Sequence, residues 1–317
     1  MSRILLTAVG SMAAAPAARR YQALGHTVFG CDIYPREWTA LAGELDFFQA
    51  RLATEGEPYV EQLRETVRRN GLDFLIPLTD PEVDALAPRK AEFRALGCTV
   101  CVPEERVAAL CRRKDTMNRF LAEKRVCALI PTEAAVPGRP CPFPFPAMVK
   151  PRSGRSSLGQ AVAADEKSYQ TALAGREDCI VQPFLEGDIF CVDVARDAFG
   201  HTRAAARQEL LRNKSGLGMT VEVLPGHPLE AVCAAIAEAV GLVGVVNMEF
   251  IRHGDDFFFL EVNPRFSGGV GFSMAAGMDF AEMMLCCHSG GSVEAFPAAP
   301  KHALLARESA IVLTQLR

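Results

Sequence analysis

The chain has 317 residues, 49% of them hydrophobic and 23% charged, with a formal net charge of −4. That length exceeds one typical domain and supplies enough apolar material for two or three subdomains around a cleft. A pI near 5.9 and the lack of any Lys/Arg-rich block exclude a broad nucleic-acid or anionic-membrane surface, but not a local basic pocket.

The first segment, MSRILLTAVGSMAAAP, has a short apolar run interrupted by small residues and Pro16, and it continues into a helix-like stretch ending at LGHTVFGCD. It reads as a buried strand and helix rather than a secretion signal. No apolar run has the length needed to span a bilayer. Strand and helix then alternate through RILLTAV, MAAAPAARRYQALG, HTVFGCDI, PYVEQLRETVRRNG, DFLIPL, PEVDALAPRKAEFRALG and CTVCVP. This alternation predicts a parallel sheet flanked by helices, with functional loops at the strand C-termini, Val9-Gly10-Ser11 and Leu78-Thr79-Asp80. Of the eleven cysteines, Cys98 and Cys101 form the one CxxC pair. In a strand their side chains leave opposite faces, so neither a redox turn nor a zinc knuckle fits. Reduced, mostly buried thiols in a cytoplasmic protein are expected.

From Pro103 the pattern changes. EERVAALCRR and KDTMNRFLAEKR are helical, and VPGRPCPFPFP can be neither helix nor central strand, so a linker is placed there. AMVKP and QAVAA read as strands joined by RSGRSSLG, DEKSYQTALAG as a helix with Asp165 as N-cap, and CIVQPFLEG as an extended run. Strands IFCVDVAR, TRAAARQEL, VVNMEFIR and FFFLEVN, with helices PLEAVCAAIAEAVG and AAGMDFAEMMLCC, predict a largely antiparallel α+β half.

Three constellations carry chemistry. In the hairpin Val245–Asn263, Glu261 and Asn263 are two apart and share a face. A three-residue turn, Gly254-Asp255-Asp256, sets His253 against Phe257 and Glu249 against Glu261. Glu249, Glu261 and Asn263 then converge as a hard oxygen site that suits Mg²⁺ beside nucleotide phosphates, while Met248, Phe250, Leu260 and Val262 pack on the other face. A two-residue turn would instead split the two glutamates between faces, leaving a solvated acidic hairpin. Arg265, just beyond, can pair with a phosphate oxygen. Second, Lys150 ends a strand before the Ser/Gly loop 152–159, which offers N–H groups and hydroxyls to an anion but lacks the GK[ST] of a Walker A loop. Third, Pro183 removes one N–H from CIVQPFLEGD, so the run is either an edge presenting its remaining backbone groups to a purine or an ordinary edge strand.

In this order, KDTMNRFL, MVKP, and above all NMEF followed by LEVNPRFSGG, resemble the ATP-grasp superfamily, specifically stand-alone members similar to the carbamoyl-phosphate synthetase large subunit. The resemblance implies a mixed α/β and α+β fold with an N-terminal Rossmann-like pre-ATP-grasp domain (1–104). It also implies linker helices with a small lid subdomain (105–186) and a large subdomain with the metal site (187–317), the two α+β units sandwiching ATP. It makes Lys114 and Lys150 phosphate-holding lysines and Ser153 to Gly159 the lid, with Ser153, Gly154, Ser156, Ser157 and Gly159 against the nucleotide. By the same resemblance Gln182, Phe184 and Leu185 lie beside adenine, Glu249, Glu261 and Asn263 ligate magnesium, Arg265 contacts a phosphate, and Arg207 faces the transferred phosphoryl group. The family commonly keeps a glutamate for the ribose after the EG of the hinge strand. Here that position is Ile189, so either Asp188 substitutes by a one-residue shift or another group holds the ribose. Ser267-Gly268-Gly269 would offer N–H groups to a substrate carboxylate. GxGxxG is absent from TAVGSMAAAP, which argues against dinucleotide binding.

The expected activity is that of an ATP-dependent carboxylate–amine ligase acting through an acyl phosphate, with ATP and Mg²⁺ (or Mn²⁺) as cofactors. The expected partners are a small carboxylate and an amine, amino acids among them, with no nucleic acid and no membrane. The alternatives are phosphorylation of a carboxylate or carbamate without amide formation, and an inactive ATP-binding regulatory subunit. MDFAEMMLCC serves either the core or a homodimer.

Overall fold

The computed structural model describes residues 1–154 and 158–315. Strands β1 (Arg3–Leu6), β2 (Thr27–Asp32), β3 (Asp46–Gln49), β4 (Phe74–Ile76) and β5 (Thr99–Val100) form one parallel sheet in the order β3-β2-β1-β4-β5. Helices α1 (Ala14–Ala23), α2 (Glu57–Asn70), α3 (Asp80–Leu86) and α4 (Lys90–Ala95) cover its faces. In β1, Ile4 and Leu6 enter one apolar cluster and Leu5 the other, as a strand buried on both sides requires. Cys98 and Cys101 divide between the same two clusters, and all eleven cysteines are unpaired. The order reverses at β1, so the loops after β1 and β4 open a crevice at the strand C-termini. The helix expected over residues 81–97 breaks at Pro88, which lies in a 3₁₀ turn between α3 and α4.

Helices α5 (Glu105–Arg112) and α6 (Lys114–Lys124) lead to β6 (Ala128–Leu129), which crosses to pair with the C-terminal sheet. A four-stranded antiparallel sheet follows, ordered β7-β10-β8-β9, from β7 (Glu133–Ala135), β8 (Ala147–Pro151), β9 (Ala161–Ala163) and β10 (Cys179–Pro183). Helix α7 (Glu166–Leu173) covers it, with Asp165 accepting the Ser168 N–H at 2.8 Å as its cap. The proline-rich stretch 136–146 joins β7 to β8 of this one sheet, with Cys141, Phe143 and Phe145 against its core. It is therefore an internal loop rather than a linker between units. Strand β10 lies inside the sheet, not at an edge, because Glu133–Ala135 pairs with it on the side away from β8.

The third sheet has the order β16-β13-β12-β11-β14-β15-β6. Its strands are β11 (Asp188–Arg196), β12 (Thr202–Arg212), β13 (Gly218–Val223), β14 (Gly244–His253), β15 (Asp256–Asn263) and β16 (Ala303–Ala306). Helix α8 (Pro228–Val240) packs on one face with α5 and α6, where Val192, Met248 and Phe250 meet Ile236 and Leu121. Helices α9 (Val270–Ala275) and α10 (Phe280–His288) lie on the other. Gly277, at φ +97°, separates them, so the helix expected across AAGMDFAEMMLCC starts late, capped by Asp279. Met278, Met283, Met284 and Cys287 are consumed in a core shared by α10, α1 and β1, which answers the choice between core and dimer for that segment. The Tyr21 hydroxyl donating to the Ala281 carbonyl at 2.9 Å ties the same two units. Among the described residues no helix is long and apolar enough to cross a membrane.

Candidate active site

All three sheets border one cavity of about 1080 Å³. Its C-terminal wall is the hairpin β14–β15, where Glu249 pairs with Glu261 and Asn247 with Asn263. The turn is not the expected three-residue one. His253 pairs with Asp256, so the tip is Gly254-Asp255, with Gly254 at φ +62°. Such a turn alone would have turned Glu261 away from Glu249. A bulge between Phe259 and Glu261 inserts Leu260 and restores the register. Phe259 and Val262 therefore enter the core, while Leu260, Glu261 and Asn263 all face the cavity. Leu260, expected in the core, is cavity wall because it is the inserted residue.

The amide of Asn263 reaches both carboxylates, Glu249 at 3.4 Å and Glu261 at 3.3 Å. Lys114 Nζ lies 3.0 Å from Glu261 Oε2 and 3.4 Å from the Gly154 carbonyl. Burial pushes Glu249 up to about 7, and the neighbouring Glu261 charge adds to the shift. Burial acts the same way on Glu261, but Lys114 and Lys150 outweigh it and hold this carboxyl below its usual range. The Lys150 ammonium is pulled down to about 8 by burial and by Lys114. Opposed shifts of this kind arise where buried acids and bases crowd one cavity, in functional clusters and structural ion-pair networks alike. Lys150 sits opposite Ile180 in the small sheet, and Gln182, Phe184 and Leu185 continue that wall. Gln182 donates to Thr132 Oγ1 at 2.7 Å, and Phe184 N–H to the Pro146 carbonyl at 3.1 Å.

Several expected contacts fall elsewhere. Asp188 turns out of the cavity to pair with Arg252, and strand alternation leaves Ile189 as the lining residue. Arg207 does not line the cavity. It is 1% exposed, and its guanidinium bonds Asp193 at 2.6 Å, Glu209 at 3.2 Å, and the hydroxyls of Ser267 and Ser273. Arg212, further along β12, enters the wall instead, 3.7 Å from Glu249, because the register slips at 209–212. That arginine lies in no motif, and Asn247, although it opens NMEF, is assigned no role by that motif. Arg265 lines the cavity, held by Asp80 in a two-point pair at 3.1 and 2.9 Å. Ser267 and Gly268 are wall residues, the Ser267 hydroxyl being engaged by Asp193 at 2.8 Å. Gly269 lies behind, so close to Arg207 that a Cβ would stand 2.6 Å from its nitrogen. Ser153, Gly154 and Gly159 are outside the wall, Gly159 accepting from Arg176 at 2.7 Å, whereas Gln160 lines it. Ser156 and Ser157 lie outside the described residues.

A Rossmann-like unit, a small antiparallel sheet and a large antiparallel sheet closing on one lysine- and carboxylate-lined cleft define the ATP-grasp architecture. The chain has the fold of the ATP-grasp enzymes, and part of its sequence is similar to that superfamily. The family model described as ATP-grasp in the biosynthetic pathway with Ter operon matches residues 175–310. A formate-dependent phosphoribosylglycinamide formyltransferase of Mycolicibacterium gilvum is 26% identical over 233 residues, 65% of this chain and 56% of that protein. The chain thus spans about half the length of the curated relatives it matches. Among solved structures, a biotin carboxylase complex from Campylobacter jejuni superposes with a TM-score of 0.74 at 16% identity, covering 96% of this chain and 74% of that one. An L-amino acid ligase from Bacillus licheniformis gives 0.71 at 14% identity, covering 92% and 74%. At those identities the likeness is one of fold.

Proposed function

We propose that the chain is an ATP-dependent carboxylate–amine ligase that forms an amide or peptide bond through an acyl phosphate, releasing ADP and phosphate. The observation that carries this reading is the convergence of Lys114, Lys150, Glu249, Glu261 and Asn263 on one cavity. Two carboxylates and an amide suit Mg²⁺ or Mn²⁺, and a cation there relieves the repulsion that helps push Glu249 to about 7. The described residues hold no cluster of three or more His, Cys, Asp or Glu side chains placed for a metal, so the donor set fits an ion that shares its shell with phosphates. When bound, such an ion neutralises charge on the β- and γ-phosphates.

In this reading Lys114 and Lys150 hold the phosphates, and Gln182, Phe184 and Leu185 flank the base. Arg212 and Arg265 place positive charge beside the acid, which rests against Ser267 and Gly268. Arg207 acts through Ser267, as a positioning residue. A carboxylate oxygen attacks the γ-phosphorus and the bond to ADP breaks. The amine then attacks the acyl carbon, the C–O bond to phosphate breaks, and the amine's proton leaves to phosphate or solvent. Preorganised charge, rather than a protein nucleophile, is the source of rate. Eleven unpaired cysteines suit a reducing, cytoplasmic setting.

The test is ADP release over paired acids and amines, with hydroxylamine trapping of the acyl phosphate. The curated relative's name supplies two of the compounds, formate and phosphoribosylglycinamide. Hydroxamate together with amide supports the ligase. Hydroxamate without amide indicates phosphorylation alone, and ATP binding without turnover across the panel indicates a regulatory subunit.

A further inference from the structure

The cavity has two chemically different ends. Lys114, Lys150 and Arg212 gather around the carboxylates of the hairpin, and Arg265 stands between the two ends, paired with Asp80. The opposite end is lined by the β1–α1 loop, by Asp32, Ile33, Tyr34, Trp38 and Thr39, and by residues 52–54 and 78–82, none of them lysine, arginine or histidine. Arg265 reaches Asp80 there, and Arg307 Nη1 lies 3.8 Å from the Met12 sulfur. The acids at this end are Asp32, Asp80 and Glu82. Arg265 neutralises Asp80, but Asp32 has no ion pair among the described residues. Instead the Asp32 carboxylate accepts the Gly10 N–H at 2.8 Å and the Tyr34 N–H at 3.2 Å. In the loop leading to α1, a protein carboxylate therefore holds the N–H that such a loop would otherwise offer to a phosphate. The Ala14 N–H is likewise taken, by the Ser11 carbonyl at 3.1 Å.

The rim of this end is apolar. Tyr34 and Trp38 stand 53% and 68% exposed, with ring centroids 6.1 Å apart. Ile33 and Leu52 flank them. Ser11 Oγ, in the wall, is shielded from solvent and has no hydrogen-bond partner. A phosphorylated group placed against Asp32 would meet a carboxylate that no cation among the described residues pairs with. An amine with an apolar body would meet a carboxylate, an unused hydroxyl and two aromatic faces.

Building on the ligase reading above, we propose that this end takes the amine substrate, and that this amine is unphosphorylated and carries an apolar or aromatic group lying against Tyr34 and Trp38. Trp38 is the chain's single tryptophan, so its emission reports occupancy of this end without ATP or turnover. Titration with phenethylamine is expected to shift that emission saturably, with ethanolamine binding at least roughly tenfold more weakly and O-phosphoethanolamine producing no saturable shift. Tyr34→Ala, a change at an exposed side chain, is expected to weaken phenethylamine by roughly tenfold while leaving ATP affinity unchanged. Three results overturn the proposal: no saturable shift with any amine, O-phosphoethanolamine binding as tightly as phenethylamine, or a Tyr34→Ala protein that binds phenethylamine like the parent. A failure of the ligase reading shows separately, as absent hydroxamate and amide.

Discussion

Replacing Glu261 with glutamine removes one negative charge from the cavity wall while keeping the side chain's size. Its Oε2 lies 3.0 Å from Lys114 Nζ, the two side chains being 20% and 7% exposed. At an effective dielectric of ~20, unit charges that far apart interact by roughly 5.5 kcal/mol. Solvent access to Glu261 and the dipole of the replacing amide reduce the net loss to ~3 kcal/mol, or about 10²-fold in kcat/KM. Folding is expected to suffer less, because Glu249 is freed of its neighbour's charge and Lys114 keeps the Gly154 carbonyl. The assay is ADP release at saturating divalent cation, beside a urea unfolding curve. Turnover within about threefold of the parent, with unchanged cation dependence, would refute the assignment of Glu261 to the cation.

Arg207→Met strands the buried Asp193 without its cation, so unfolding free energy is expected to drop by about 3–5 kcal/mol. An unchanged urea midpoint would show that the cluster is not held by that charge. A methyl at Gly187 would stand 1.7 Å from the Arg252 carbonyl oxygen. Gly187→Ala must then push the hinge between β10 and β11 off β14, at ~2 kcal/mol in the same assay. Burial drives the His288 imidazole down to about 3, and its Nε2 finds no partner. The unfolded chain takes up the proton first, near pH 6.5, so this group's contribution is present above that pH and lost as pH falls toward 3. Between pH 7.5 and 5.5 it accounts for ~1.4 kcal/mol of lost stability. His288→Phe should flatten that part of the curve, and an identical pH slope in the variant would count against the buried neutral histidine.

The elements with strong periodicity were readable from residues alone. Helix α2 buries Tyr59, Val60, Leu63 and Val67 on one stripe and stops at Gly71 in the left-handed conformation. Strands β3, β7 and β16 were not, since DFFQ, EAA and ALLA carry no alternation of their own and become strands by pairing with β2, β10 and β13. At the site, the carboxylate pair was legible for a partly mistaken reason: the turn is one residue shorter than expected, and Leu260 makes up the difference. Arg207 shows the opposite limit. A sequence gives an arginine on a strand but not the Asp193 that buries it, nor the slipped register that sends Arg212 to the cavity. The aromatic rim at Tyr34 and Trp38 lies in a loop, where no period distinguishes a rim from an ordinary surface.

The bulge at Leu260 separates two things that hairpins normally couple, tip length and side-chain facing. The offset that aligns Glu249 with Glu261 sits beside the glutamates, several pairs away from Gly254-Asp255. At that tip a Cβ on Gly254 would meet nothing within 4 Å. The tip is therefore free to accept a foreign loop, such as an epitope or a peptide carrying a fluorophore, without altering the alignment below it.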